Sequence, residues 1–198
     1  MSNLRKRDVF IFVFIALIYS SGFSQTKFER EFRISRDDVP LNALSFVDSL
    51  SFNSKVKWFK EEGLTSNSIE AKTRFKRERW SIEFSEKGEF QDVEIEIKST
   101  QIPTNVFSKI SETMSERHQS YRINKIQVRY TGDRNAVLNF FRENRTNRRG
   151  ITLEYEIVIS SRLDGNFVLM EYTFSEGGSF LLAQQIIENR PYNIDSGI

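Results

Sequence analysis

Two hydrophobic periods take turns along this chain. Residues 27–34 end in apolar and polar alternation, the period of a half-buried strand. Ser35 to Asp38 then offer capping side chains, Val39 a staple and Pro40 a first-turn residue. Ala43, Phe46, Val47 and Leu50 follow at the i, i+3, i+4, i+7 spacing of one helical stripe. Period 2 returns in Lys55-Val56-Lys57-Trp58, in Ile69, Ala71, Thr73 and Phe75, in Trp80, Ile82 and Phe84, and in Val93, Ile95 and Ile97. Trp58 shares a face with Val56 and reads as core, with Phe59 on the opposite face. The alternate positions carry Glu70, Lys72, Arg74 and Lys76, then Glu83, Glu94 and Glu96, which predicts a solvated outer sheet face laced by cross-strand ion pairs.

The same order then recurs. Val39-Pro40-Leu41-Asn42 returns 63 residues on as Ile102-Pro103-Thr104-Asn105, and Val106, Ile110 and Met114 stripe a second helix. Ile126, Val128 and Tyr130 form a strand, Ile151 to Ile159 a longer one, and Asp164-Gly165 is a hairpin signal. Gly88 to Ile95 matches Gly165 to Tyr172, now at an offset of 77, so the second copy carries 14 extra residues between about Asp133 and Arg149. Ala136, Val137, Phe140 and Phe141 within them read as a short amphipathic helix. Gly177-Gly178 breaks the chain, and Ser179 to Arg190 reads as a last helix stopped by Pro191.

The expected fold class is therefore α+β: two tandem repeats, each a helix packed on one face of an antiparallel sheet, with a C-terminal helix. The expected bounds are 25–99 for the first repeat, 100–176 for the second with its insertion at 133–149, and 177–198 for the last helix and tail.

The start of the chain changes the picture of where it works. Three basic residues between Asn3 and Arg7, an apolar run from Val9 to Tyr19, and small residues up to Ser24 read as a secretory signal peptide over 1–24, cleaved after Ser24. Such a run is short for a membrane span, so no stable span is expected after cleavage. Without 1–24 the chain is formally neutral, and nothing in its charge points to nucleic acid. The chain has no cysteine and one histidine, His118, which sits in a polar run and reads as a surface residue. That composition leaves no zinc site, no Cys/His nucleophile and no cofactor motif.

Val39-Pro40, Phe52, Lys55-Val56-Lys57-Trp58, Ile69-Glu70-Ala71 and Phe84-Ser85-Glu86-Lys87-Gly88-Glu89-Phe90 together resemble the exported PepSY-like proteins. That group is similar in fold to the beta-lactamase inhibitor protein, itself a tandem repeat of a helical segment and an antiparallel sheet. The resemblance covers residues 37–99 well and 100–176 more loosely. It departs where Ser51 to Ser54 lacks a proline, where Ser85 stands for a common aspartate, and at the insertion. It implies a periplasmic or secreted, non-enzymatic protein that binds or inhibits another envelope protein.

Within that expectation, the insertion is the leading binding candidate. Arg142, Arg145, Arg148 and Arg149 lie next to Phe140 and Phe141, and arginine and aromatic residues are both enriched at interface hot spots. The same arginines could grip an anionic small molecule or envelope polymer, or simply form a basic loop above the second sheet. Val158 and Leu169 break the charged pattern of the outer face there, so that face needs a cover.

Overall fold

The computed structural model describes residues 25–63, 66–163 and 165–188; residues 1–24, expected as a signal peptide, and the tail beyond 188 lie outside the described residues. Strands β1 (Gln25–Ile34), β2 (Lys57–Glu62), β3 (Asn67–Phe75), β4 (Glu78–Ser85) and β5 (Phe90–Glu96) precede β6 (Tyr121–Gly132), β7 (Ile151–Leu163), β8 (Asn166–Ser175) and β9 (Phe180–Glu188). Helices α1 (Leu41–Ser49), α2 (Thr104–Arg117) and α3 (Arg134–Arg142) join β1 to β2, β5 to β6 and β6 to β7. The fold is α+β, as the two periods predict. Its strands do not form two sheets: they pair antiparallel in sequence order, and β9 returns beside β1 in parallel to close one barrel.

Capping chemistry sits one turn earlier than the pattern placed it, since α1 itself follows an N-cap Pro40 with no side-chain cap. Ser35 and Asp38 complete a capping box on a short 3-10 turn ahead of α1. The α1 stripe buries Ala43, Phe46 and Val47, and that of α2 buries Val106, Ile110 and Met114. Both stripes press on the sheet side that carries Trp58, Ile82, Phe84, Ile157, Ile159 and Phe174, so the hydrophobic core lies between the helices and the outside of the barrel. Phe46 stacks on Phe90 at 4.5 Å and meets Phe84 edge-on at 5.8 Å.

This arrangement inverts the expected surface. Strand residues alternate sides, so with apolar positions turned outward under the helices, the charged positions are turned into the barrel. Glu83, Glu94, Lys72 and their neighbours form an enclosed lining in place of the solvated outer face. Val158 and Leu169 also face inward, and their cover is the closure itself: Leu169 pairs with Ile186 of β9. Lys76 leaves the stripe altogether, because Lys76 and Arg77 both take positive φ in the two-residue turn between β3 and β4.

The predicted C-terminal helix is a strand. Leu, Ala and Gln in 181–185 favour a helix locally, but ladders with β8 and β1 override that preference. The register also corrects the internal match. Phe84-Ser85-Glu86-Lys87-Gly88-Glu89-Phe90 corresponds to Phe174-Ser175-Glu176-Gly177-Gly178-Ser179-Phe180, at an offset of 90 in place of 77. Both turns close with the same two backbone hydrogen bonds, from Ser85 to Glu89 and Gly88 to Ser85 in one, from Ser175 to Ser179 and Gly178 to Ser175 in the other. Gly88 and Gly178 each hold φ near +80°, and a Cβ would meet Pro40 at the start of α1 or Val106 of α2.

Candidate functional site

The lining of the barrel follows from register. Glu70 on β3 stands directly opposite Glu83 on β4, and Glu83 opposite Asp92 on β5. The next row runs Lys72, Ser81, Glu94, Arg129 and Glu154, and Gln127 and Glu156 pair in the row after it. Like charges directly opposite one another destabilise a sheet, so three adjacent carboxylates need a reason.

These groups are deeply placed: Glu70, Asp92, Glu94, Glu156 and Glu171 are all buried. The cations among them are distributed unevenly. Arg129 binds Glu154 and also Glu156 at 2.7 Å. Lys72 binds Glu31 and also Glu70 at 2.9 Å, and Lys27 binds Glu171 at 3.2 Å. Ser81 donates to Glu70, and Gln127 donates to Glu94 at 2.7 Å. Asp92 Oδ1 accepts no hydrogen bond among the described residues.

Electrostatics follow from this unevenness. Burial, then the charge of Glu94, pushes Asp92 up to about 7. Burial and the neighbouring Asp92 and Glu94 hold Glu83 well above the usual carboxylate range, and burial with Glu156 does the same to Glu94. Burial would lower the Lys72 ammonium, but Glu70 and Glu31 raise it above its ordinary value.

The lining opens into a cavity of about 470 Å³ bounded by residues of β1 through β6 and of β8. Lys55, Lys57, Arg74 and Arg79 line it while remaining exposed and form a basic rim above an acidic floor, in which Arg79 is held by Glu96 at 3.1 Å.

The insertion is arranged differently. It folds as α3, capped by Asp133, which accepts from the backbone of Asn135 and Ala136. Phe140 is 3% exposed and tilted against Tyr130, so it is core and no partner can reach it. Phe141 is half-buried and packs edge-on to Trp80 at 4.9 Å. Arg145 holds Glu78 at 2.6 Å and lies over the rings of Trp80 and Phe141, while Arg148 holds Glu176 at 2.5 Å. Arg142 and Arg149 are exposed. Glu78 and Glu176 thus occupy two of the four arginines.

Two single-residue expectations meet their surroundings as well. Trp58 is buried as expected. His118 is half-buried and hydrogen-bonded to the Tyr172 hydroxyl at 2.6 Å, and burial lowers its pKa.

No family model matches the sequence, and no curated protein matches it. Among solved structures, the chain is similar to a DUF2874 family protein from Bacteroides ovatus, with a TM-score of 0.49 and 11% identity over 74% of this chain and 87% of that one. It is also similar to a BLIP-like protein from Bacteroides fragilis, with a TM-score of 0.44 and 16% identity over 74% and 86% of the two chains. These are likenesses of outline, and function has to be read from the chain's own geometry.

Proposed function

We propose that this is an exported, non-enzymatic binding protein that engages another envelope protein through the mouth of its concave sheet face. The observation that carries the reading is the exposed rim of Lys55, Lys57 and Arg74 around a polar cavity, on the sheet face that the helices leave uncovered. Such a rim suits an acidic loop of the partner, steered by charge. The basic and apolar start of the chain supports export, and the PepSY-like motifs support a periplasmic or secreted place. A doubled unit of one helix and four strands, α1 with β2 to β5 and α2 with β6 to β9, supports descent by tandem duplication.

The test is charge reversal at the rim. The double variant Lys57→Glu, Arg74→Glu should lose the dominant cross-linked partner in native envelopes and fold as the wild type does; undiminished cross-linking by the folded variant would refute the reading. An anionic ligand held by Arg142, Arg145, Arg148 and Arg149 is the weaker alternative, since Glu78 and Glu176 already hold Arg145 and Arg148.

A further inference from the structure

We propose that the floor of the concave face is a calcium site formed by Glu83, Asp92 and Glu94. One carboxylate oxygen from each lies within 4.8 Å of the others. Ca²⁺ takes oxygen ligands at about 2.3–2.6 Å in a flexible shell that carboxylates on neighbouring strands can supply, whereas Mg²⁺ demands near-ideal octahedral geometry at about 2.0–2.1 Å. The donors are all hard oxygens with no nitrogen or sulfur among them, which disfavours zinc.

A second observation points the same way. Asp92 is only 8% exposed, and its Oδ1 accepts no hydrogen bond among the described residues. A buried carboxylate oxygen without a donor costs folding free energy, and a native fold keeps one where something else uses it. Arg129 forms ion pairs with Glu154 and Glu156, Lys72 with Glu31 and Glu70, and Lys27 with Glu171, while Lys27 also acts on all three cluster carboxyls through its field. Lys125, exposed at the cavity edge, reaches Glu94 only through the field.

The direct pairing of Glu83 with Asp92 concentrates negative charge that a divalent ion would neutralise. Glu83 and Glu94 line the cavity, which gives the ion a route in and room for waters to complete a coordination number of about six to eight.

This site rests on reading the concave face as the binding surface, but its test uses the isolated mature protein and no partner. Calorimetric titration with calcium chloride near neutral pH should show saturable binding, with a Kd of about 10⁻⁴–10⁻³ M as in extracellular calcium modules. Magnesium should bind at least tenfold more weakly. Asp92→Asn and Glu83→Gln should each lower calcium affinity at least tenfold while melting no lower than wild type without calcium, which separates a lost ligand from a lost fold. No saturable binding, or unchanged binding in a folded Asp92→Asn protein, would overturn the inference. Loss of the partner on rim reversal alongside no calcium binding would leave the proposed function standing and remove only the site.

Discussion

The β4–β5 and β8–β9 hairpins share a turn, a bulge and a glycine seated on a helix, yet they line the barrel differently. At the position of the facing pair Glu83 and Asp92, the second hairpin has Thr173 and Leu182. The backbone therefore does not require a carboxylate pair there, since the same hairpin closes with a neutral one. Beside the second hairpin Arg129 forms ion pairs with Glu154 and Glu156, whereas burial and like neighbours raise both Glu83 and Asp92 above the usual carboxylate range. A local rule broken in one copy and kept in the other marks the first as the place where stability is spent on function.

The comparison is broken most severely by attacking what the hairpins share. Phe84 and Phe174 are both fully buried, so Phe84→Ala and Phe174→Ala should each cost about 3–5 kcal/mol in chemical denaturation. Unequal losses would mean the two halves are not built alike. Gly88→Ala and Gly178→Ala come next, at about 1–3 kcal/mol each, because both force an alanine to positive φ against a helix start.

What distinguishes the hairpins shows in pH. Asp92 titrates near 7 in the native state, and Glu83 and Glu94 lie above their ordinary range, against about 4 when unfolded. Between those values the native state binds more protons than the unfolded one, so this cluster's contribution falls as pH rises. Melting temperature measured in chelator should therefore rise from about pH 8 to about pH 6, and Asp92→Asn should flatten that rise. Making the second hairpin acidic with Leu182→Asp should steepen it. Arg145→Ala removes a half-exposed ion pair and ring contacts, and should cost only about 0.5–1 kcal/mol.

Much of this architecture is legible in the sequence, and the exceptions are instructive. Helical stripes at Ala43, Val106 and Val137 and alternation at Ile69, Trp80 and Val93 locate eight of the nine strands and all three helices among the described residues. The strand at 180–188 is missed because its leucines, alanine and glutamines favour a helix, while its ladders come from residues far away in the chain. Alternation shows which residues share a face but not which face is concave, so the charged set reads as solvated when closure encloses it. The facing of Glu70, Glu83 and Asp92 depends on register across three strands. One signal was available: an aspartate amid Val93, Ile95 and Ile97 is unusual inside a strand.

The insertion illustrates the same limit. Its amphipathic helix is readable, but the salt partners of Arg145 and Arg148 come from Glu78 on β4 and Glu176 beyond β8, which no spacing reveals. The structure thereby moves attention from the second half to the first.

The central claim, that partners meet the concave mouth and not the arginine loop, has a direct measurement. A photo-cross-linking residue is placed at Arg74 on the rim in one protein and at Arg149 on the loop in another, and each is activated in native envelopes. One dominant partner adduct is expected from position 74 and none of that mass from position 149. The reverse pattern would contradict it.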